Sequence, residues 1–231
     1  MPVGVLIDVA AILIGGILGG LIGKRIPGGF RKELNHIIGA WAMTLGIALI
    51  PKMQTFGAVM IAVVISYCIG YALDFDGHVN NAILKITKKV LGSSDNIDVE
   101  SLSVLIVLVT FGGSGIAGAM AEAISGDRSI ILGRAAADLF TALLFGAGIG
   151  PITGIAAVPA FVSLMLFFLC ARLIMPLMTD VVYANFVATG GFLTLIGGLK
   201  IFGVSKAKPM NAVLSVFLIV LVTMAWIAVF S

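Results

Sequence analysis

Eight apolar runs, most of them about 20 residues long, follow one another with only short polar joints between them. They are Val3 to Ile22, Leu34 to Ile50, Phe56 to Leu73, Leu102 to Ile124, Ile130 to Gly148, Ile152 to Leu173, Val181 to Phe202 and Met210 to Phe230. A helix of about 20 residues rises about 30 Å, the thickness of a bilayer's hydrocarbon core. The pattern therefore predicts an all-α, polytopic transmembrane bundle of about eight spans. Outer-membrane barrels need short segments of alternating polarity and are excluded. So is a soluble domain: 60% of the residues are hydrophobic and 11% charged, against about 25% charged in globular proteins. The runs 34–50 and 130–148 are short enough to be tilted, re-entrant or broken.

No linker is long enough to divide the chain, so it reads as one membrane domain. Val3 to Ile22 has no basic residue before it and Lys24 and Arg25 after it, the reverse of signal-peptide polarity, which predicts a retained helix. Lysine and arginine cluster in the joints after runs one, three and seven, while the opposite side has Lys52, Arg128 and Arg172. Basic joints stay on the cytoplasmic side, so both termini are expected outside. Net charge is +3, which in such a chain reports orientation; no basic stripe with interleaved aromatics points to nucleic acid. His36 and Trp41 fit an interfacial anchor. Asp74 and Asp76 read as a solvated helix end. In HVNNAILKITKKVLG, from His78, the residues Val79, Ile83, Ile86 and Val90 fall at helical spacing opposite Lys85, Lys88 and Lys89, which predicts a helix lying in the interface. The polar segment Ser93 to Ser101 reads as a turn.

The second run, IIGAWAMTLGIALI from Ile37, resembles the seventh, ATGGFLTLIGGLKI from Ala188. Gly39 matches Gly190, Trp41 matches Phe192 and Gly46 matches Gly197. The first and sixth runs close on Pro27 and Pro176. Runs one to three (about 3–74) thus resemble runs six to eight (about 152–231), around a central pair (about 101–148). An offset of five spans places the copies in opposite orientations. Inverted repeats are a signature of secondary transporters, with the site near the midplane between copies. Chance similarity of glycine-rich apolar helices is the competing explanation.

Polar residues at membrane depth nominate a site. Arg134 and Asp138 stand four apart in the fifth run, on one helix face and within ion-pair reach. Each charge alone costs about 2.5–3.5 kcal/mol at a helix centre, so pairing or a wet cavity is expected. An ion or substrate pathway and a structural helix-joining pair both account for them. Gly112, Gly113, Gly115 and Gly118 around Ser114 weaken the fourth run, freeing backbone groups for a ligand or allowing close packing. Glu122 and Asp127 follow at the expected outer mouth. Asp8 sits in the first run and is expected to face Arg134 and Asp138. Gly15, Gly19 and Gly23 recur at every fourth position, as do Gly16 and Gly20, and predict tight helix packing. Pro151 and Pro159 are expected to kink the sixth run. Cys68 and Cys170 lie in apolar runs and read as packing residues. Neither histidine, His36 or His78, has metal-ligand spacing to a partner, and no cofactor, metal or catalytic set is predicted.

The pieces GVLIDVAAILIGG from Gly4, GYALDFDG from Gly70, SGDRS from Ser125 with Arg134 and Asp138 after it, and TDVVYANFVATGGFLTLIGGLKIFGV from Thr179 resemble the domain-of-unknown-function 554 family, the YqgA/YdfK-like prokaryotic membrane proteins. Together they span nearly the whole chain. The resemblance implies a polytopic plasma-membrane protein of a group suspected of transport. It also implies departures here. The family's usual asparagine is replaced by Asp8, its frequent Tyr-Gln-Gly by Ser163, Leu164 and Met165, and its common lysine by Arg134.

The sequence reading is a small secondary transporter or ion-conducting protein, not an enzyme, acting on a small ion or solute. Its pathway residues are Asp8, Ser114, Glu122, Asp127, Arg134 and Asp138; its packing residues are Gly15, Gly19, Gly23, Gly39, Gly46, Gly190 and Gly197. Its partners are the lipid bilayer and a second copy of the chain, because eight short helices leave little room for a wide pore in one subunit. The rival is a non-transporting membrane scaffold or sensor.

Overall fold

The computed structural model describes residues 1–91 and 98–230. Within them the chain forms ten α-helices: α1 (Val3–Gly23), α2 (Gly28–Leu49), α3 (Phe56–Ala72), α4 (Phe75–Leu91), α5 (Val99–Phe111), α6 (Gly113–Ser125), α7 (Ser129–Ile149), α8 (Ala157–Ile174), α9 (Asp180–Ile201) and α10 (Ser215–Phe230). Short 3₁₀ turns supplement them, and no strand occurs among the described residues. Seven stretches are long and apolar enough to cross a membrane, and an eighth span results if α3 and α4, bent by 62°, count together. This is the polytopic bundle the apolar runs predict.

Local chemistry sets the breaks. α6 stops at Gly126, whose φ of 75° is the left-handed cap that glycine adopts most easily. α7 stops at Gly150, with φ 116°, and Pro151 then opens a 3₁₀ turn through Ala156 that leads into α8. The sixth run therefore begins with a tighter turn at Pro151, and Pro159 falls in the first turn of α8. The fourth run is two helices, α5 and α6, parted at an extended Gly112 with ψ 116°.

The glycines set how closely the spans approach. On α1, a Cβ at Gly15, Gly19 or Gly23 would collide with the Leu139, Leu143 or Ala147 carbonyl of α7, so the two helices run parallel in backbone contact. Gly16 and Gly20 meet Gly154 and Pro151 in the same way. The opposite face of α1 exposes Leu6, Leu13, Ile17 and Leu21, as a lipid-facing surface does. The tight packing expected of the stripe is thus met by α7 and the turn Pro151–Ala156 of the same chain.

α2 packs antiparallel to α9. A Cβ at Gly39 would lie 2.8 Å from the Phe202 nitrogen, and one at Gly46 2.6 Å from the Gly191 carbonyl. Gly197 closes on Val104 of α5, and the carbonyl of buried Gly190 accepts the Thr194 hydroxyl. α3 and α10 are also antiparallel, with Gly57 against Trp226 and Gly70 against Asn211.

Two expectations are corrected by tertiary contacts. Asp76 is not solvated: it is 3% exposed, and its carboxylate meets Lys208 at 3.3 Å and accepts from Asn80. Trp41 is not a free interfacial anchor, because its Nε1 donates to Thr141 of α7 at 2.9 Å. His36 remains exposed and packs on Phe202, ring to ring at 5.3 Å. The segment expected to lie in the interface forms α4, with Ile83 buried, Ile86 exposed and Lys85, Lys88 and Lys89 exposed. Of the expected turn Ser93 to Ser101, residues 93–97 lie outside the described residues; Asp98 accepts from the Ser101 amide and so caps α5.

Candidate functional site

Arg134, one turn and a half into α7, is 8% exposed and has every donor engaged. Its Nε donates to Asp138 at 2.9 Å, Nη1 to the Gly112 carbonyl at 2.8 Å and Ser114 at 3.3 Å, and Nη2 to the Leu108 and Val109 carbonyls at 3.2 and 2.8 Å. Those carbonyls lie at the C-terminal end of α5, where the Leu108 carbonyl also accepts from the Gly112 amide and the Gly112 carbonyl from the Gly115 amide, so the guanidinium adds to the backbone bonds at the break. A cation at a helix C-terminus is favoured by the backbone dipoles as well. The glycines around Ser114 do free backbone groups, and Arg134 of the same chain takes them. A Cβ on Gly112 would lie 2.6 Å from Nη1, and one on Gly115 2.6 Å from Cζ, so these glycines form the guanidinium's slot. Gly118 lets Ile131 approach.

Asp8 of α1 completes the cluster as expected, with Oδ2 4.0 Å from Arg134 Nε and no accessible surface. Neither of its oxygens has a hydrogen-bond partner among the described residues. The parallel packing of α1 on α7 carries it there.

Beside this cluster lies a cavity of about 200 Å³, lined by Leu45, Ala48 and Leu49 of α2, Leu108 of α5, Ser114 of α6, Ile130, Arg134, Ala137 and Asp138 of α7, and Thr194 of α9, with Gly112 at the break. It is the point where the resembling helices α2 and α9 meet the broken span. Ser114, Arg134 and Asp138 are brought together there.

Glu122 and Asp127 are elsewhere. Glu122 is 5% exposed rather than at a water-filled mouth, and it accepts from the Gly4 and Val5 amides at 2.8 and 3.2 Å and from Arg128 at 2.8 Å. It caps the N-terminus of α1, where free amides favour an anion. Asp127 is exposed and accepts from the Ser129 amide at 2.9 Å, which holds its carboxyl below the usual carboxylate range.

Several polar residues at depth are not singled out by spacing. Buried Asn185 of α9 accepts from the Gln54 and Thr55 amides and donates to the Thr55 and Thr223 hydroxyls, tying together the start of α3, α9 and α10. Ser163 donates to the Thr110 carbonyl just before the break. Thr194 reaches the cavity from α9. An asparagine within an apolar run was the one available signal for the first of these. Groups of three or more histidine, cysteine, aspartate or glutamate residues able to hold a metal are absent among the described residues.

The family described as "Protein of unknown function (DUF554)" matches residues 3–224. The chain is 31% identical over 235 residues to the uncharacterized protein YqgA of Escherichia coli (strain K12), covering 100% of both chains. It is 27% identical over 208 residues to the uncharacterized membrane protein YdfK of Bacillus subtilis (strain 168), covering 90% of each. No solved structure matches it.

Proposed function

Because the chain belongs to the DUF554 family of membrane proteins, we propose that it is a small secondary transporter or ion-conducting protein of the prokaryotic plasma membrane, with both termini outside. The observation that carries this reading is the cavity at the break between α5 and α6, which brings Ser114, Arg134 and Asp138 into one recess otherwise lined mainly by apolar residues. Irregular backbone at membrane depth is tolerated where it lines a cavity or is buried in protein, and discontinuous helices commonly form transporter sites. The antiparallel contact of α2 with α9 is what a two-fold relation between inverted copies requires, and it supports the repeat read from Gly39, Gly46, Gly190 and Gly197. The reading assigns no catalytic step. A homodimer remains part of the proposal, with its contact elsewhere than the α1 glycines.

A second reading has an observation of its own. All five guanidinium hydrogens of Arg134 are met by protein acceptors, which is what a scaffold or sensor that only locks its helices would need. Flux separates the two. Proteoliposomes are challenged in turn with gradients of H⁺, Na⁺, K⁺ and Cl⁻, comparing the wild-type chain with Asp138→Asn. Flux in the wild type that falls at least tenfold in the folded variant is expected. Full flux in the variant removes Asp138 from the pathway, and no flux of any of these ions in the wild type favours the scaffold.

A further inference from the structure

Asp8 is the member of the cluster that no hydrogen bond among the described residues reaches. Its carboxylate is fully buried and neither oxygen has a hydrogen-bond partner among the described residues. Arg134 is the nearest cation, with Nε 4.0 Å from Oδ2. A guanidinium has five N–H donors, and here all five go to Asp138, Gly112, Ser114, Leu108 and Val109. None remains for Asp8.

The other elements packed on α1 do not supply a further cation. The turn Pro151–Ala156 has no titratable side chain, and α8 carries Arg172 only in its last turn. On α6, Glu122 is committed to Gly4, Val5 and Arg128. Two carboxylates facing one guanidinium leave one surplus negative charge, and of the two Asp8 has no accessible surface. An isolated buried carboxylate is so costly that neutralisation is the lower-energy outcome. Asp8 Oδ2 and Asp138 Oδ2 approach the same Arg134 Nε, at 4.0 and 2.9 Å, and carboxylates that share a site commonly share one proton.

We infer that Asp8 and Asp138 hold a single exchangeable proton between them, Asp8 donating it and Asp138 accepting it while Asp138 keeps its bond to Arg134. A metal cation of the hard, oxygen-bound kind gathers six or more oxygens. Here the nearby carbonyls of Leu108, Val109 and Gly112 already accept from Arg134. The cavity of about 200 Å³ is lined by Asp138 but not by Asp8, and a proton needs no volume. Asp138 is then the relay. A proton arriving from the cavity adds to the Asp138 carboxylate, passes to Asp8, and returns the same way, with only O–H bonds made and broken. That this proton drives flux rests on the transport reading; that it is bound does not.

Infrared spectroscopy of the full chain in lipid bilayers at neutral pH tests it. The C=O band of a neutral carboxylic acid is expected, shifted by exchange into D₂O and lost in Asp8→Asn, whose amide copies the shape of the protonated acid. Asp138→Asn is the second variant. It leaves one carboxylate against one guanidinium, so Asp8 ionises and the band is lost there too. No such band in the wild-type chain, or its persistence in either variant, overturns the inference. Loss of the wild-type band on adding NaCl or KCl to salt-free samples also overturns it, in favour of a metal-cation site. The band with no proton-dependent flux leaves the bound proton standing and removes its transport role; flux without the band does the reverse.

Discussion

Arg134 Nη1 of α7 donates to the carbonyl of Gly112 at 2.8 Å, so the gap in one span is closed by a side chain from the next. The same head meets the Leu108 and Val109 carbonyls beside the break, the first of which also accepts from the Gly112 amide. Removing the head therefore takes the guanidinium donor from the Val109 carbonyl and the ion-pair partner from Asp138. Truncating one partner of a buried pair costs about 3–5 kcal/mol. Arg134→Gln is expected to lower the midpoint of thermal unfolding in detergent by an amount of that order. Arg134→Lys, with three donors for five acceptors, should fall between the two. Equal midpoints for all three proteins would show that the break is held by something else.

Gly19 and Gly133 give opposite expectations from the same change. A Cβ at Gly19 would collide with the Leu143 carbonyl, whereas one at Gly133 meets nothing within 4 Å. Gly19→Ala should destabilise by about 1–3 kcal/mol through forced separation of α1 from α7. Gly133→Ala should be neutral or stabilise by about 0.5–1 kcal/mol, by removing glycine's backbone freedom from a helix interior. The two unfolding midpoints, measured side by side, check the contact.

Glu122 is predicted to matter through α1 rather than through ions. Replacing it with Ala leaves the Gly4 and Val5 amides without their buried acceptor, a loss of about 1–3 kcal/mol. Faster hydrogen exchange at those two amides is the specific readout. Arg128→Ala should change stability little, since that side chain is 44% exposed and such ion pairs contribute about 0–1 kcal/mol. A large loss on Arg128→Ala with normal exchange at Gly4 would reverse the assignment.

Asp127 carries a pH dependence of known sign. The Ser129 amide and hydroxyl hold its carboxyl below the ordinary value. A depressed carboxyl contributes stability that is present above the unfolded value and lost as pH falls through the folded one. Its carboxyl carbon, followed by nuclear magnetic resonance, should titrate below an ordinary aspartate, and the shift should vanish when residue 129 becomes proline. A midpoint at or above the ordinary value would contradict the bond.

What the sequence reveals of the site is uneven for a physical reason. The pairing of Arg134 with Asp138 is legible because four residues is about one helical turn, and the glycine run that breaks the span is legible because it is local. The role of Glu122 is not, since Gly4 lies 118 residues away and only folding brings the first amides of α1 onto it. Asp76 misleads in the same way: beside Asp74 it looks like a wet helix end, until Lys208 arrives from the far joint. Asn185 stands out only as an amide in an apolar run, and its four hydrogen bonds go to Gln54, Thr55 and Thr223, in two distant parts of the chain.

Hydrophobic run length alone determined the membrane bundle, because a backbone in hydrocarbon has no alternative to satisfying its own hydrogen bonds within helices. Small-residue spacing determined that α1 would pack closely on something. Only tertiary structure decided on what, since a glycine stripe accepts a neighbouring helix of the same chain or of another copy equally well, and here α7 fills it. Tertiary structure also decided that the guanidinium of Arg134 is fully used while Asp8 beside it is not. Hydrogen-bond saturation depends on where every donor points in space, and no one-dimensional pattern carries that.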